Sequence, residues 1–200
     1  VNTPNTNNSA TGGYLLPAEQ APEFAPLTLE QFLQTLIVGV SGFPGELVRP
    51  KWQIQPPKQP DATINWISIG LSEDDSDTNA YNQADAEGNN TFMRMEALTL
   101  QCSFYGPFSY EIGKLVRDGL QIPQNLEALQ KANMAFVSTG KMVRAPDLVN
   151  ERWINRWEMS IYLRREIQRV YPILTFVSAS GTLYALGAQG VRTLALSAKG

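Results

Sequence analysis

The chain has 200 residues, 43% hydrophobic and only 18% charged, with a formal net charge of −3. It contains no histidine and a single cysteine, Cys102. That excludes an intrachain disulfide, Ser-His and Cys-His nucleophile pairs, and most zinc and copper sites, while the charge balance lacks the basic excess of an ordinary nucleic-acid binder.

Residues 1–26 are rich in Asn, Thr, Pro, Gly and Ala and carry two charges, Glu19 and Glu23. They read as an arm without periodicity, with Tyr14, Leu15, Leu16 and Phe24 available for docking on a neighbour. No secretory leader and no membrane span of about 20 apolar residues is expected, so the triplets Asn7-Asn8-Ser9 and Asn89-Asn90-Thr91 are expected to carry no glycan. A helix is predicted over 28–40. Thr28 and Gln31 form a capping-box pattern, and Leu29, Phe32, Leu33, Leu36, Ile37 and Val40 form one stripe, closed by Gly42 and Pro44. Residues 47–57 predict a short strand ending at Pro56-Pro57, and 63–71 a better one.

Residues 72–90 carry six acidic side chains and no basic one, and read as a long loop. A strand follows over 91–105. Its apolar phase switches near Ala97, from Met93 and Met95 to Leu98, Leu100, Cys102 and Phe104, which predicts a bulge or a change of sheet. Cys102 is expected to be a buried, inert thiol. Gly106-Pro107 ends the strand. Ser109 is the expected N-cap of a helix over 109–120 whose stripe is Ile112, Leu115, Val116, Gly119 and Leu120. A second short helix follows Ile122-Pro123 and Asn125 and runs to Lys131. Ala135–Ser138 reads as a strand and 140–150 as a loop. Trp153–Arg164 reads as a half-buried strand, with Trp157, Met159, Ile161 and Leu163 inward and Arg156, Glu158, Ser160, Tyr162 and Arg164 outward. Two apolar runs, 182–186 and 191–196, flank Gly187–Gly190 and suggest a terminal hairpin. No internal repeat is present.

These elements predict an α/β (α+β) fold: a mixed or antiparallel sheet flanked by two to three helices, with extended terminal arms. The expected organisation is an arm over 1–26, a domain over 27–178 and an extension over 179–200. No constellation carries chemistry. Asp75, Asp77 and Asn79 resemble the start of a calcium loop, but Ala80 replaces the turn glycine, Ala86 the bidentate glutamate, and Glu87 comes one residue late. The glycines near 181–190 lack a P-loop lysine, and Ser109 lacks an elbow spacing and a histidine. No enzyme activity, catalytic residue, cofactor or metal is expected. The charge is segregated, at −8 over residues 1–140 and +5 over 141–200. This suggests a subunit interface that pairs the acidic Glu73, Asp74, Asp75 and Asp77 with the basic Arg164, Arg165 and Arg169, fixing register more than adding affinity.

The stretch LQCSFYGPFSYEIGKLVRDGL, a strand ending in Tyr105-Gly106-Pro107 and leading into a helix, resembles the central unit of the tail-terminator proteins of tailed bacteriophages. The segment from Asn133 to Ser178, including MAFVSTGKMVRAPDLVNERWINRWEMSIYLRREIQRVYPI, is similar to the neck-terminator branch of that group. The resemblance spans roughly 27–178 and leaves out the amino-terminal arm and carboxy-terminal tail. It implies a virion structural protein of the neck, assembled in the host cytoplasm. The expected form is a homo-oligomeric ring, usually a hexamer, that terminates the tail tube and meets a head-completion or connector protein. Tail-tube protein and sheath protein are further implied partners. Double-stranded DNA would cross the lumen without sequence-specific binding. The alternatives are a tail-tube or head-completion protein and a phage-encoded enzyme acting on DNA.

Overall fold

The computed structural model describes residues 14–17, 26–85, 89–149, 151–173, 178–187 and 190–199. The expected amino-terminal arm therefore lies outside the described residues except for 14–17 and Pro26. The fold is mixed α+β with a large, mostly antiparallel sheet, as the alternation of stripes predicts. Two compact units are distinguished: residues 21–81 with 93–168, and residues 1–20, 82–92 and 169–200.

The larger unit holds helices α1 (Pro26–Ser41), α2 (Ser109–Gly119) and α3 (Glu127–Lys131). Its sheet has the order β1 (Val48–Pro50), β2 (Trp66–Ser76), β4 (Asn89–Tyr105), β9 (Arg156–Pro172), β5 (Met134–Thr139), with β6 (Val143–Arg144) also on β9. β1 runs parallel to β2, β2 antiparallel to β4, and β5 and β6 antiparallel to β9. β7 (Asp147–Val149) and β8 (Arg152–Ile154) make a separate two-stranded hairpin. In the smaller unit, β3 (Tyr81–Ala84) pairs with β4. Their turn closes through Asp85, whose carboxylate accepts from the Asn89 amide at 2.7 Å, and Asn90 donates across to Asn82 at 2.9 Å. Phe92 meets Tyr171 edge-on at 6.3 Å. β10 (Ser178–Gly187) and β11 (Gly190–Lys199) pair antiparallel from Ser178–Lys199 to Gly187–Gly190.

The core of the larger unit joins Leu29, Leu33, Leu36 and Ile37 of α1 to Ile67 and Ile69 of β2 and to Leu98, Leu100, Cys102 and Phe104 of β4. Ile112 and Val116 of α2, Leu129 of α3, and Met159, Ile161 and Leu163 of β9 complete it. Each such side chain contributes about 1.5–3 kcal/mol on full burial. α1 ends as its composition dictates: Gly42 takes φ +70° and its amide returns to the Val38 carbonyl at 2.9 Å. Gln34 on α1 donates to the carbonyls of Gly45 and Val48, which ties β1 to the helix.

Several expectations are corrected. α1 starts at Pro26, so Thr28 lies inside the first turn rather than at the cap; proline with its preset φ opens the helix instead. The strand expected over 47–57 stops at Pro50, which has no amide to donate. The long acidic loop is mostly strand. β2 runs to Ser76 with a bulge between Leu71 and Glu73, and pairs Asp75 with Ala97 and Ser76 with Glu96. Among the described residues, no strand flanks β2 beyond Ile69 on its outer side, so carboxylates there occupy a free edge, where charge blocks stray pairing. β4 has no phase slip, because Glu96, not Met95, continues the buried face of Leu98 and Leu100. Residues 140–150 contain β6 and β7, and the strand expected from Trp153 divides at Asn155 into β8 and β9. The expected helix to Lys131 is a 3-10 turn, Pro123–Leu126, followed by α3.

Helix α2 differs in two respects. Its N-cap is Phe108, and Ser109 sits inside the helix, 1% exposed. The freed amide of Phe108 is met by the side chain of Asn65, whose Oδ1 accepts it at 2.9 Å. The buried stripe is Ile112, Gly113 and Val116, with Leu120 just beyond the helix, whereas Leu115 is 53% exposed. Gly113 brings α2 against the Phe104 ring and Gly119 brings it against Val40. Leu115→Asp should therefore shift stability by no more than about 0.5 kcal/mol. Val116→Asp buries an unpaired carboxylate and should abolish soluble folded protein, a contrast that expression and thermal melts of the two variants check.

Candidate functional site

Helices cover one face of the larger unit's sheet. Period-two alternation places Trp66 and Ser68 of β2, Gln101, Ser103 and Tyr105 of β4, and Arg156, Glu158, Ser160 and Arg164 of β9 on the other. Trp66 and Tyr105 stack at 4.1 Å with their planes 6° apart, and the Arg49 guanidinium lies 5.8 Å from the Trp66 ring. The segment after β1 crosses this face. Trp52 adopts φ +53° and its ring sits where a side chain on Gly70 would be, 2.7 Å from the position of a Cβ. Between this segment and the sheet is an open cavity of about 540 Å³ floored by Trp66, Gln101 and Tyr105. A smaller one of about 170 Å³ shares Lys51, Gln101 and Glu158 with it and adds Lys141 and Ser160.

Arg156 is the hub of the first cavity. It pairs with Asp147 and, at 3.3 Å, with Glu158, and bonds the Tyr105 hydroxyl. Burial works against its charge, but the Tyr105 hydroxyl, Asp147 and Glu158 prevail and hold its pKa above the ordinary value. Burial pushes the Tyr105 hydroxyl up, with Arg156 opposing. Burial also lowers Lys51, with Glu158 opposing. The Arg156–Asp147 pair anchors β7 to β9. Among the described residues, no three His, Cys, Asp or Glu side chains gather to hold a metal, and no helix is long and apolar enough to cross a membrane.

Cys102 is 1% exposed in the core, and burial pushes its thiol up to about 12, with Lys51 opposing. The folded state keeps this proton where an unfolded thiol, ordinarily near 9.0, has lost it. Its contribution to stability should therefore fall as pH rises from about 9 towards 12. A thiol alkylating reagent at about pH 8.5 should leave native protein unlabelled and label denatured protein fully.

The residues expected at a subunit interface are dispersed. Asp75 and Asp77 are exposed at the end of β2, where the Asp77 amide donates to the Met95 carbonyl at 3.0 Å. The backbone of Glu73 and Asp74 pairs with Thr99 and Leu98. Arg164 is exposed and its backbone pairs with Ala135. Arg165 turns to the other face and pairs with Glu96 at 2.7 Å, the two side chains being 13% and 5% exposed. Arg94 also reaches Glu96, at 3.2 Å. Arg169 is half-buried in the smaller unit. Strand β4 lies between β2 and β9 in the sheet, and Arg165 reaches across to Glu96 of β4. Sequence reading passed over Glu96, whose signal is a carboxylate in the core phase of a strand. It also passed over the exposed apolar set at Trp52, Ile54, Phe108, Leu148 and Trp153, each at least 59% exposed.

A sequence family described as phage neck terminator protein matches residues 27–186. A comparison with curated proteins gives no match. The family match covers well over half of the chain and includes the strand-helix unit around Gly106 and both long strands, β4 and β9; the chain belongs to the phage neck terminator family and is a structural protein of the bacteriophage neck.

Proposed function

We propose that this protein assembles into a closed ring, a hexamer, that ends the tail tube, meets the head-completion connector and lets genomic DNA pass through its lumen. Family membership supports a neck role. The observation that carries the ring is the set of large apolar side chains exposed on a well-packed domain, from Trp52 and Ile54 to Leu148 and Trp153. Trp is enriched among the residues that dominate binding energy at interfaces. A ring of identical subunits needs two different complementary patches per chain. In this reading residues Glu73, Asp74, Asp75 and Asp77 form part of one and the exposed Arg164 part of the other, while Arg165 is engaged by Glu96 within the subunit. Tail-tube, sheath and connector proteins are the axial neighbours in this reading, and the terminal arm and extension reach them. The protein acts by contact rather than catalysis.

The mass of the purified assembly tests the reading. Native mass spectrometry should give an integral multiple of the 22.1 kDa chain, near six, and electron micrographs should show rings with an open centre. Long tubes of stacked rings would instead indicate a tail-tube protein. A strict monomer at all concentrations would remove the ring.

A further inference from the structure

The acidic end of β2 carries two exposed carboxylates, Asp75 and Asp77, without an ion-pair partner among the described residues. Residues 73–77 hold four carboxylates and no basic side chain. The β2–β4 ladder holds Asp75 opposite Ala97, and the Asp77 amide is bonded to Met95.

The open face of the sheet has the opposite imbalance. Arg156 is balanced there by Asp147 and Glu158. Lys51 and Lys141, on either side of Gln101 and Glu158, and Arg164 farther along β9, make no ion pair among the described residues. Lys141 and Arg164 are exposed, and Lys51 is half-buried beside Trp52. Among the described residues no helix covers this face, and polar side chains, Gln101 and Ser160, lie between the cations. A strand end or turn can approach such a surface closely.

We infer that this open face receives the acidic β2–β3 turn of a second copy of the chain, with Lys51, Lys141 and Arg164 facing Asp75, Asp77 and their neighbours. The inference rests on the ring proposed above and names the two patches that meet in it. One lies at the edge of the sheet beyond β2 and the other on its face over β4 and β9. A contact between two separate patches can repeat head to tail, which gives a closed ring when the rotation per subunit closes. It differs from a general attraction between acidic and basic halves, because Arg165 is occupied by Glu96 and Lys51 and Lys141 take its place.

The test uses the full chain in four forms: unchanged, Lys141→Glu, Asp75→Lys/Asp77→Lys, and all three substitutions together. Sedimentation at low and high salt reads the dissociation constant of the assembly. Either reversal should weaken association roughly tenfold at low salt, since an exposed pair is worth up to about fivefold and reversal replaces attraction by repulsion. High salt should shrink the difference, and the combined variant should regain most of the loss. In parallel, Asp77→Cys chains mixed with Lys141→Cys chains should cross-link on oxidation, Cys102 being buried. If the unchanged chain forms a ring, while neither reversal weakens it and no cross-link forms, this inference is overturned and the ring stands. If Lys141→Glu leaves the ring intact but abolishes retention of duplex DNA, the face meets phosphates and the inference is again overturned. A monomer at every concentration overturns both.

Discussion

Glu96→Ala should lose about 3–5 kcal/mol of unfolding free energy, read as a fall in the denaturant midpoint with an unchanged slope. That is a large part of the roughly 5–15 kcal/mol that holds a typical domain. Glu96 is 4% exposed and accepts from Arg165 through both Nε and Nη2, at 2.8 and 2.7 Å, and from Arg94 at 3.2 Å. Removing it takes away the carboxylate that both arginines share, and Arg165 is largely enclosed, at 13% exposure. The size of the loss comes from the charge left behind in a largely enclosed place rather than from the worth of the pair itself. Glu96→Met combined with Arg165→Met should therefore lose much less than Glu96→Ala alone, because both charges leave together. If the double variant is as unstable as the single one, the ion cluster is not the source of the loss. A physical role for the cluster follows from its position. It continues the buried face of β4 where the apolar run Phe104, Cys102, Leu100, Leu98 ends. A slip of one residue in the β4 register would expose Glu96 and turn Ala97 inward, away from both arginines.

The same residue explains why part of the fold was hidden from sequence reading. Period two along 98–104 located the core face of β4, and spacing of three and four located α1, because there apolar side chains alone fill the buried positions. At Glu96 a charged residue takes a buried position, so the pattern looked like a slip towards Met93 and Met95. In α2 the opposite error occurs. Leu115 matches the helical spacing, yet the buried line runs through Gly113, which has no side chain to announce itself. At Gly113 the line is set by Met142 and Phe104, and at Gly119 the helix lies against Val40, with Met142 and Val40 far from α2 in sequence. The acidic residues 72–76 read as loop because hydropathy reports solvent, and a free sheet edge is solvated like a loop although its backbone is paired on one side. The open sheet face was legible only in half. The outward residues of β9 were read correctly from 156 to 164, whereas the crossing of Lys51 and Trp52 over Gly70 is a tertiary contact with no periodic signature.

Gly106→Ala should be nearly as damaging as the loss of Glu96, at about 2–6 kcal/mol, although it adds a single methyl group. Gly106 has φ +103°, a conformation that side chains rarely adopt, which costs about 1–3 kcal/mol. A Cβ there would stand 2.5 Å from Asn65 Oδ1 and 2.7 Å from the Ile64 carbonyl oxygen. The second obstacle is backbone entering β2 and cannot rotate away, so overpacking adds about 1–3 kcal/mol more. The first is the side chain that caps α2 through the Phe108 amide. Displacing it uncovers a helix terminus, and the Gly106 amide, bonded to the Asn155 carbonyl at 3.1 Å, is forced to shift as well. One methyl group thus disturbs the ends of β2, β4 and α2 and the start of β9 together. Gly39→Ala and Gly45→Ala serve as controls, since nothing lies within 4 Å of either added carbon and neither has a positive φ. Gly39 is inside α1, so Gly39→Ala should raise stability by about 0.5–1 kcal/mol. Thermal melts of the three variants check the order: Gly106→Ala far below the unchanged chain, Gly45→Ala near it, Gly39→Ala above it. A Gly106→Ala melt within a degree of the unchanged chain would mean that the strand-helix junction at the centre of the family match can relax around a side chain.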